Sequence, residues 1–186
     1  MAWIPMIPED EAEGELKEWY DRLRDPWGGV DDIMRIHSIS LPTMKGHYEL
    51  YKSAMTGNPD LSRKEREMIA IVVSLINQCN YRIVHHGAGL RQITRDGEFV
   101  KKFIEDYQSV SLSLRERAML DYAAKLTREP WNMVEDDVKA LKKEGFTDVG
   151  ILHVNQVAGY YAYVNRLADG LGVELESLWE NEEPVL

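Results

Sequence analysis

Nine consecutive residues, Met68 to Ile76 (MIAIVVSLI), constrain this 186-residue chain more than any other feature. They follow Leu61-Ser62-Arg63-Lys64-Glu65, where Ser62 is placed to cap a helix and Glu65 to reach back and complete a capping box. The segment therefore reads as a helix, and it is apolar nearly all round. A surface helix carries one apolar stripe, whereas a helix without a polar face has to be enclosed on most sides, in a core or at a subunit contact.

The remaining sequence also has helical periodicity, with no sustained apolar/polar alternation between hairpin turns, so the fold class is all-α. A first helix is expected after Pro8, with acids in its opening turn and an end near Asp25-Pro26, followed by a loop at Trp27-Gly28-Gly29. A second should run from Ile33 to Met55, with a break at Leu41-Pro42 and a stop at Gly57-Asn58-Pro59. After the apolar helix, further helices are expected from Gln78 or Asn80 to Arg95, around Phe99 to Tyr107, from Glu135 to Lys143 and from Asp148 to Leu171. The stretch Leu112-Ser113-Leu114-Arg115-Glu116-Arg117-Ala118-Met119 echoes the one beginning at Leu61. Two related halves, or merely the shared chemistry of two capping boxes, would both produce that echo. The length suits a single domain over 1–186, with 1–60 as helical scaffold, 61–97 as a motif-bearing helix pair and 112–172 as a C-terminal half.

Charge and cysteine usage narrow the partners. A net charge of −10 argues against nucleic acid, which needs clustered Lys and Arg. A single cysteine fits a reducing compartment, and the start lacks the basic and apolar regions of a signal peptide, so a cytoplasmic location is expected. No apolar run is long enough to predict a membrane span.

The chemistry concentrates between Glu67 and His86. Cys79, Arg82 and His86 are spaced three and four apart, which on one helix places a thiol, a guanidinium and an imidazole on one stripe, facing one cavity. Cationic neighbours and a helix N-terminus both favour a thiolate. Glu67 stands at the edge of the apolar run, where desolvation suits a carboxylic acid to proton transfer. Against this, a lone Cys is more often a small core residue, and a Glu beside Arg66 is often half of an ion pair. His85 and His86 point about 100° apart on a helix, so no metal is expected. His37, His47 and His153 stand singly and read as packing or surface residues; Tyr160, Tyr161 and Tyr163 read as core or, preferably, subunit interface. No phosphate loop, nucleophile elbow or HExxH is present, and no cofactor is expected.

The stretch LSRKEREMIAIVVSLINQCNYRIVHHGAGL resembles the signature of the alkylhydroperoxidase D-like, or carboxymuconolactone decarboxylase, family, and especially its peroxidase-related branch. Leu112 to Leu126, Leu141 to Phe146 and Asn165 to Val173 fit the same branch, so the similarity extends over nearly all of the chain after about residue 30. The resemblance implies an alkylhydroperoxidase D-like helical fold, homo-oligomers, and the catalytic set Glu67 as relay carboxylate, Cys79 as first cysteine and His86 as relay histidine. Where the family carries its second cysteine, this sequence has Arg82. Three functions follow. The first is an antioxidant thiol oxidoreductase in which Cys79 acts on a peroxide and an external thiol reductant, or a neighbouring subunit's cysteine, resolves it. The second is a non-redox enzyme like the family's decarboxylases, with Arg82 gripping a carboxylate substrate while His86 and Glu67 move protons. The third is a non-catalytic assembly or binding protein.

Overall fold

The computed structural model describes residues 2–25, 28–56 and 60–179, and among these it contains nine α-helices and no strand. At its centre is the apolar helix, α4 (Arg63–Asn77), in which every residue from Glu65 to Ser74 is buried. Its start is a complete capping box: Ser62 Oγ accepts from Glu65 N at 3.1 Å while Glu65 Oε2 accepts from Ser62 N at 2.7 Å. The helix ends where Gln78 turns left-handed (φ 59°), and α5 (Asn80–Thr94) begins two residues later, packed along α4. The remaining faces of α4 are covered by α9 (Asp148–Leu171), α7 (Leu114–Arg128), α3 (Leu41–Thr56) and α6 (Gly97–Glu105). Burial of Met68, Ile69, Ile71, Val72 and Val73, all at 0% exposure, contributes about 1.5–3 kcal/mol per side chain.

The C-terminal elements follow their sequence signals closely. α7 starts on a second capping box at Ser113 and Glu116, and α8 spans Glu135–Lys143. α9 ends on Gly172 in the left-handed conformation, which favours glycine.

The N-terminal third departs from expectation. Glu9–Glu11 form only a 3₁₀ turn, and α1 starts later, at Gly14, running to Leu23. The second predicted helix is broken, as expected, but the break falls just before Leu41: α2 (Asp32–Arg35) and α3 are separated by residues 36–40. The break precedes Leu41 because Pro42 sits in the first turn of α3, where a missing N–H costs nothing. Of the expected punctuation, Pro26, Trp27 and Gly57-Asn58-Pro59 lie outside the described residues.

A segment beyond α9 is fastened across this third. Glu176 accepts from Asp32 N at 2.7 Å and from the Tyr81 hydroxyl at 2.6 Å, and lies 2.9 Å from His85 Nε2; Trp179 rests against the His85 ring. Burial pushes the Glu176 carboxyl up, but the bonds from His85, Tyr81 and Asp32 outweigh it and bring it down to about 2. A carboxylate held below its unfolded value of 4.5 stabilises the fold above that pH and loses the contribution as pH falls through about 2. Glu176→Gln should therefore cost about 2 kcal/mol at neutral pH. In denaturant titrations the gap between the two proteins should narrow steadily between those two pH values.

Candidate active site

A cavity of about 360 Å³ opens between α3, α5 and the start of α4, closed on one side by Asp31 and on another by Tyr160 of α9 and Trp179. Glu67, Arg82 and His86 all line it. Residues 1–60, expected as scaffold, form a wall of it: Asp31, His47 and Tyr51 come from that region, because α2 and α3 pack against α9, and α3 also against α4.

Glu67 and His86 form a close pair. The imidazole Nδ1 lies 2.6 Å from Glu67 Oε2, and both side chains are about nine-tenths buried. The approach depends on Gly89, one turn further along α5: a Cβ there would lie 3.1 Å from Glu67 Oε2. Burial lowers the His86 pKa; Glu67 opposes this, and Arg82 reinforces it, so the net shift is downward. The ring is therefore neutral at neutral pH and donates from Nδ1 to Glu67. Its Nε2, buried without a hydrogen-bond partner, keeps a free lone pair.

Arg82 is the unusual member. Its residue exposure is 6%, and Nε is buried without a hydrogen-bond partner. The guanidinium carbon stands 5.1 Å from the Tyr81 ring centre, yet no ion pair joins Arg82 to a carboxylate among the described residues. Burial works against its charge, but the surrounding tyrosines and Asp31 outweigh it and the guanidinium stays protonated. Asp31 is itself pushed toward the neutral acid by burial, against the pull of His85 and Arg82. The cavity thus holds a buried cation with spare donor capacity beside a neutral imidazole.

Cys79 does not join them. The expectation of one stripe requires Cys79 to be within the helix, but it is the residue capping α5, with extended backbone (φ −89°, ψ 92°), and its side chain leaves the stripe. Its exposure is 0%, and the carboxyl of Asp169 on α9 acts on the thiol. Burial is the main cause of a thiol pKa pushed up to about 12, with Asp169 adding to it; the fields of Arg82 and its backbone, which the sequence suggested would win, are smaller. His85 belongs to the Glu176 clasp instead. No group of three or more His, Cys, Asp or Glu among the described residues is arranged to hold a metal. No helix among them is long and apolar enough to cross a membrane.

Residues not singled out for chemistry also reach the cavity. His47 and Tyr160 line it, and they are joined to each other and to His37 by hydrogen bonds. His37 and His47 are thus not single packing histidines, and Tyr160 and Tyr161 face inward, the latter edge-on against His86; only Tyr163 of the three is substantially exposed. The one available signal was the four-residue spacing of His47 and Tyr51 on α3; the His37–His47 pairing spans the break before α3 and leaves no local pattern.

Comparison with known proteins bears on the family and the fold. The model of the carboxymuconolactone decarboxylase family matches residues 42–104. A crystal structure of an uncharacterised peroxidase-related protein from Silicibacter sp. TM1040 is 30% identical, over 97% of this chain and 94% of that one, with a TM-score of 0.87. The chain belongs to the carboxymuconolactone decarboxylase family. A second family structure, the alkylhydroperoxidase AhpD core of an uncharacterised peroxidase-related protein from Ralstonia eutropha JMP134, shares the fold at 24% identity, with coverage of 96% and 94% and a TM-score of 0.88. The debrominase Bmp8 shares it at 14%, with coverage of 94% and 92% and a TM-score of 0.79. No curated protein matches the sequence.

For this family member, a thiol held neutral and sealed should resist oxidation. Hydrogen peroxide at concentrations that oxidise free cysteine is expected to leave Cys79 reduced in intact-mass measurements on the folded protein. The same treatment in denaturant should oxidise it.

Proposed function

We propose that the chain is a non-redox member of its family that binds a small organic carboxylate at Arg82 and moves a proton with His86, oriented by Glu67. The observation that carries this reading is a buried guanidinium whose Nε has no hydrogen-bond partner, beside a neutral imidazole whose Nε2 is likewise free. A guanidinium donor buried without an acceptor is costly to keep, and a carboxylate that pairs with it bidentately recovers that cost at the moment of binding. His86 then meets the requirements of a general base: it is uncharged, its tautomer is set by the Nδ1–Glu67 bond, and it lines the same cavity.

The thiol-oxidoreductase reading, suggested by the names of the family's peroxidase-related structures, requires an accessible thiolate, and the burial of Cys79 weighs against it. No thiol reductant is then needed. A lone sealed thiol fits a cytoplasmic setting. Self-association is supported by the outer face of α9, where Val149, Leu152 and Tyr163 are exposed along one side of the helix.

Thermal-shift measurements with a panel of small mono- and dicarboxylates should show at least one that raises Tm. Arg82→Met should abolish that response while leaving the protein folded. A loss of about 3–5 kcal/mol in Arg82→Met would mean instead that the guanidinium serves the fold, and the proposal would fail. For a turned-over substrate, His86→Asn and Glu67→Gln should lower kcat by about 10²–10⁴ with little change in carboxylate binding.

A further inference from the structure

The cavity has a second polar wall. From the Tyr160 hydroxyl a line of hydrogen bonds runs away from the cavity: Tyr160 Oη to His47 Nε2 at 2.9 Å, His47 Nδ1 to His37 Nε2 at 2.9 Å, and His37 Nδ1 to Thr43 Oγ1 at 3.0 Å. Thr43 Oγ1 then donates to the Ser40 carbonyl at 2.8 Å. His47 and His37 are buried, while Thr43 is exposed on the protein surface. The line therefore connects the cavity with solvent.

Its polarity follows from the far end. A carbonyl can only accept, so the Thr43 proton is committed to Ser40 and Thr43 Oγ1 must accept from His37 Nδ1–H. His37 Nε2 is then the acceptor for His47 Nδ1–H, and His47 Nε2 is the acceptor for the Tyr160 hydroxyl. Every proton in the line points outward, and the Tyr160 oxygen offers the cavity only lone pairs. The groups are neutral in this state. Burial lowers His37, burial with His37 and Arg82 holds His47 at about 3, and burial keeps Tyr160 a phenol.

We propose that Tyr160, His47, His37 and Thr43 form a proton conduit between the cavity and the surface, set to carry a proton outward from a ligand. In the outward transfer Tyr160 Oη takes a proton from the ligand as its own passes to His47 Nε2. The His47 Nδ1 proton passes to His37 Nε2, the His37 Nδ1 proton to Thr43 Oγ1, and the Thr43 proton leaves its bond to the Ser40 carbonyl for water. Each group loses one proton and gains one, so none is left charged, and the line is left pointing inward. The reverse transfer, in which Tyr160 returns a proton to the ligand and Thr43 takes one from water, restores the starting state. Tyr160 thus serves as a second acid–base group for the cavity, and the two histidines are positioning residues that act through it. This rests on reading the cavity as a site of proton transfer.

The test needs no ligand, so its failure is separable from failure of carboxylate binding. In protein labelled with ¹⁵N-histidine, His37 and His47 are expected as neutral Nδ1–H tautomers near pH 7; an Nε2–H tautomer or an imidazolium at either ring overturns the proposal. Exchange of the His47 Nδ1 proton with water then separates a conduit from a structural bond. Transfer along the line needs both ends, so Thr43→Val at the surface and Tyr160→Phe at the cavity should each slow exchange by at least about tenfold, with Thr43→Ser at the wild-type rate. A structural pair exchanges by local opening, and removing a hydrogen bond from either end leaves that rate unchanged or faster. Unchanged or faster exchange in either variant overturns the conduit.

Discussion

The structure depends on enclosing α4. A helix without a polar face cannot be left at the surface, so α5, α7, α9, α3 and α6 surround it, and the path of the chain is largely the path needed to cover it. The difficulty lies at its N-terminal end, where Glu65, Arg66 and Glu67 are buried in succession. Buried charges require partners. Glu65 serves the capping box and accepts from Arg115 Nε at 2.8 Å, Arg66 donates to the Leu61 carbonyl, and Glu67 takes His86. The first two are consumed in holding α4 against α7 and the preceding turn. Only Glu67 is satisfied by a group that also faces a cavity, which is why the chemistry gathers at this end of α4.

Around that pair the electrostatics are one-sided. His86, His37 and His47 are all held neutral by burial, and Cys79 and Tyr160 are held protonated, so the buried charge beside His86 rests on Arg82. The position where the family resemblance implies a second cysteine here carries Arg82, a group that can neither be oxidised nor deprotonated. Its effect extends past its own contacts: the Arg82 field lowers both His86 and His47. Retaining Cys79 is then no evidence of thiol chemistry, because a small apolar side chain sealed between the α4–α5 turn and α9 has a packing reason to be there.

Much of this was legible in the sequence wherever a local signal fixed it. α4, α8 and α9 are bounded by residues whose preferences are local: the Ser62 and Thr147 caps, the acids opening α8, and Gly172 after α9. The Glu67–His86 pairing was legible through the family's pattern. Two things were not. Helical spacing put Cys79 on the stripe of Arg82 and His86, but spacing applies only inside a helix, and one residue of difference in where α5 starts turns the sulfur toward α9. The His37–His47–Tyr160 line joins α9 to two sides of the break before α3, and contacts between segments over a hundred residues apart leave no periodicity to find.

The two polar walls of the cavity are energetically linked. Arg82 depresses the proton affinity of both His86 and His47, so an anion seated on Arg82 would cancel part of that field and make each imidazole easier to protonate. Linkage is reciprocal: a cavity that binds an anion more readily when it can also hold a proton must hold a proton more readily when the anion is bound. On the proposed reading, the Arg82 field adds to the burial that keeps His86 and His47 neutral, and a carboxylate arriving with an acidic proton would bring the charge that offsets that field. On that reading, the energy for the change comes from satisfying a guanidinium whose Nε the fold leaves without a hydrogen-bond partner.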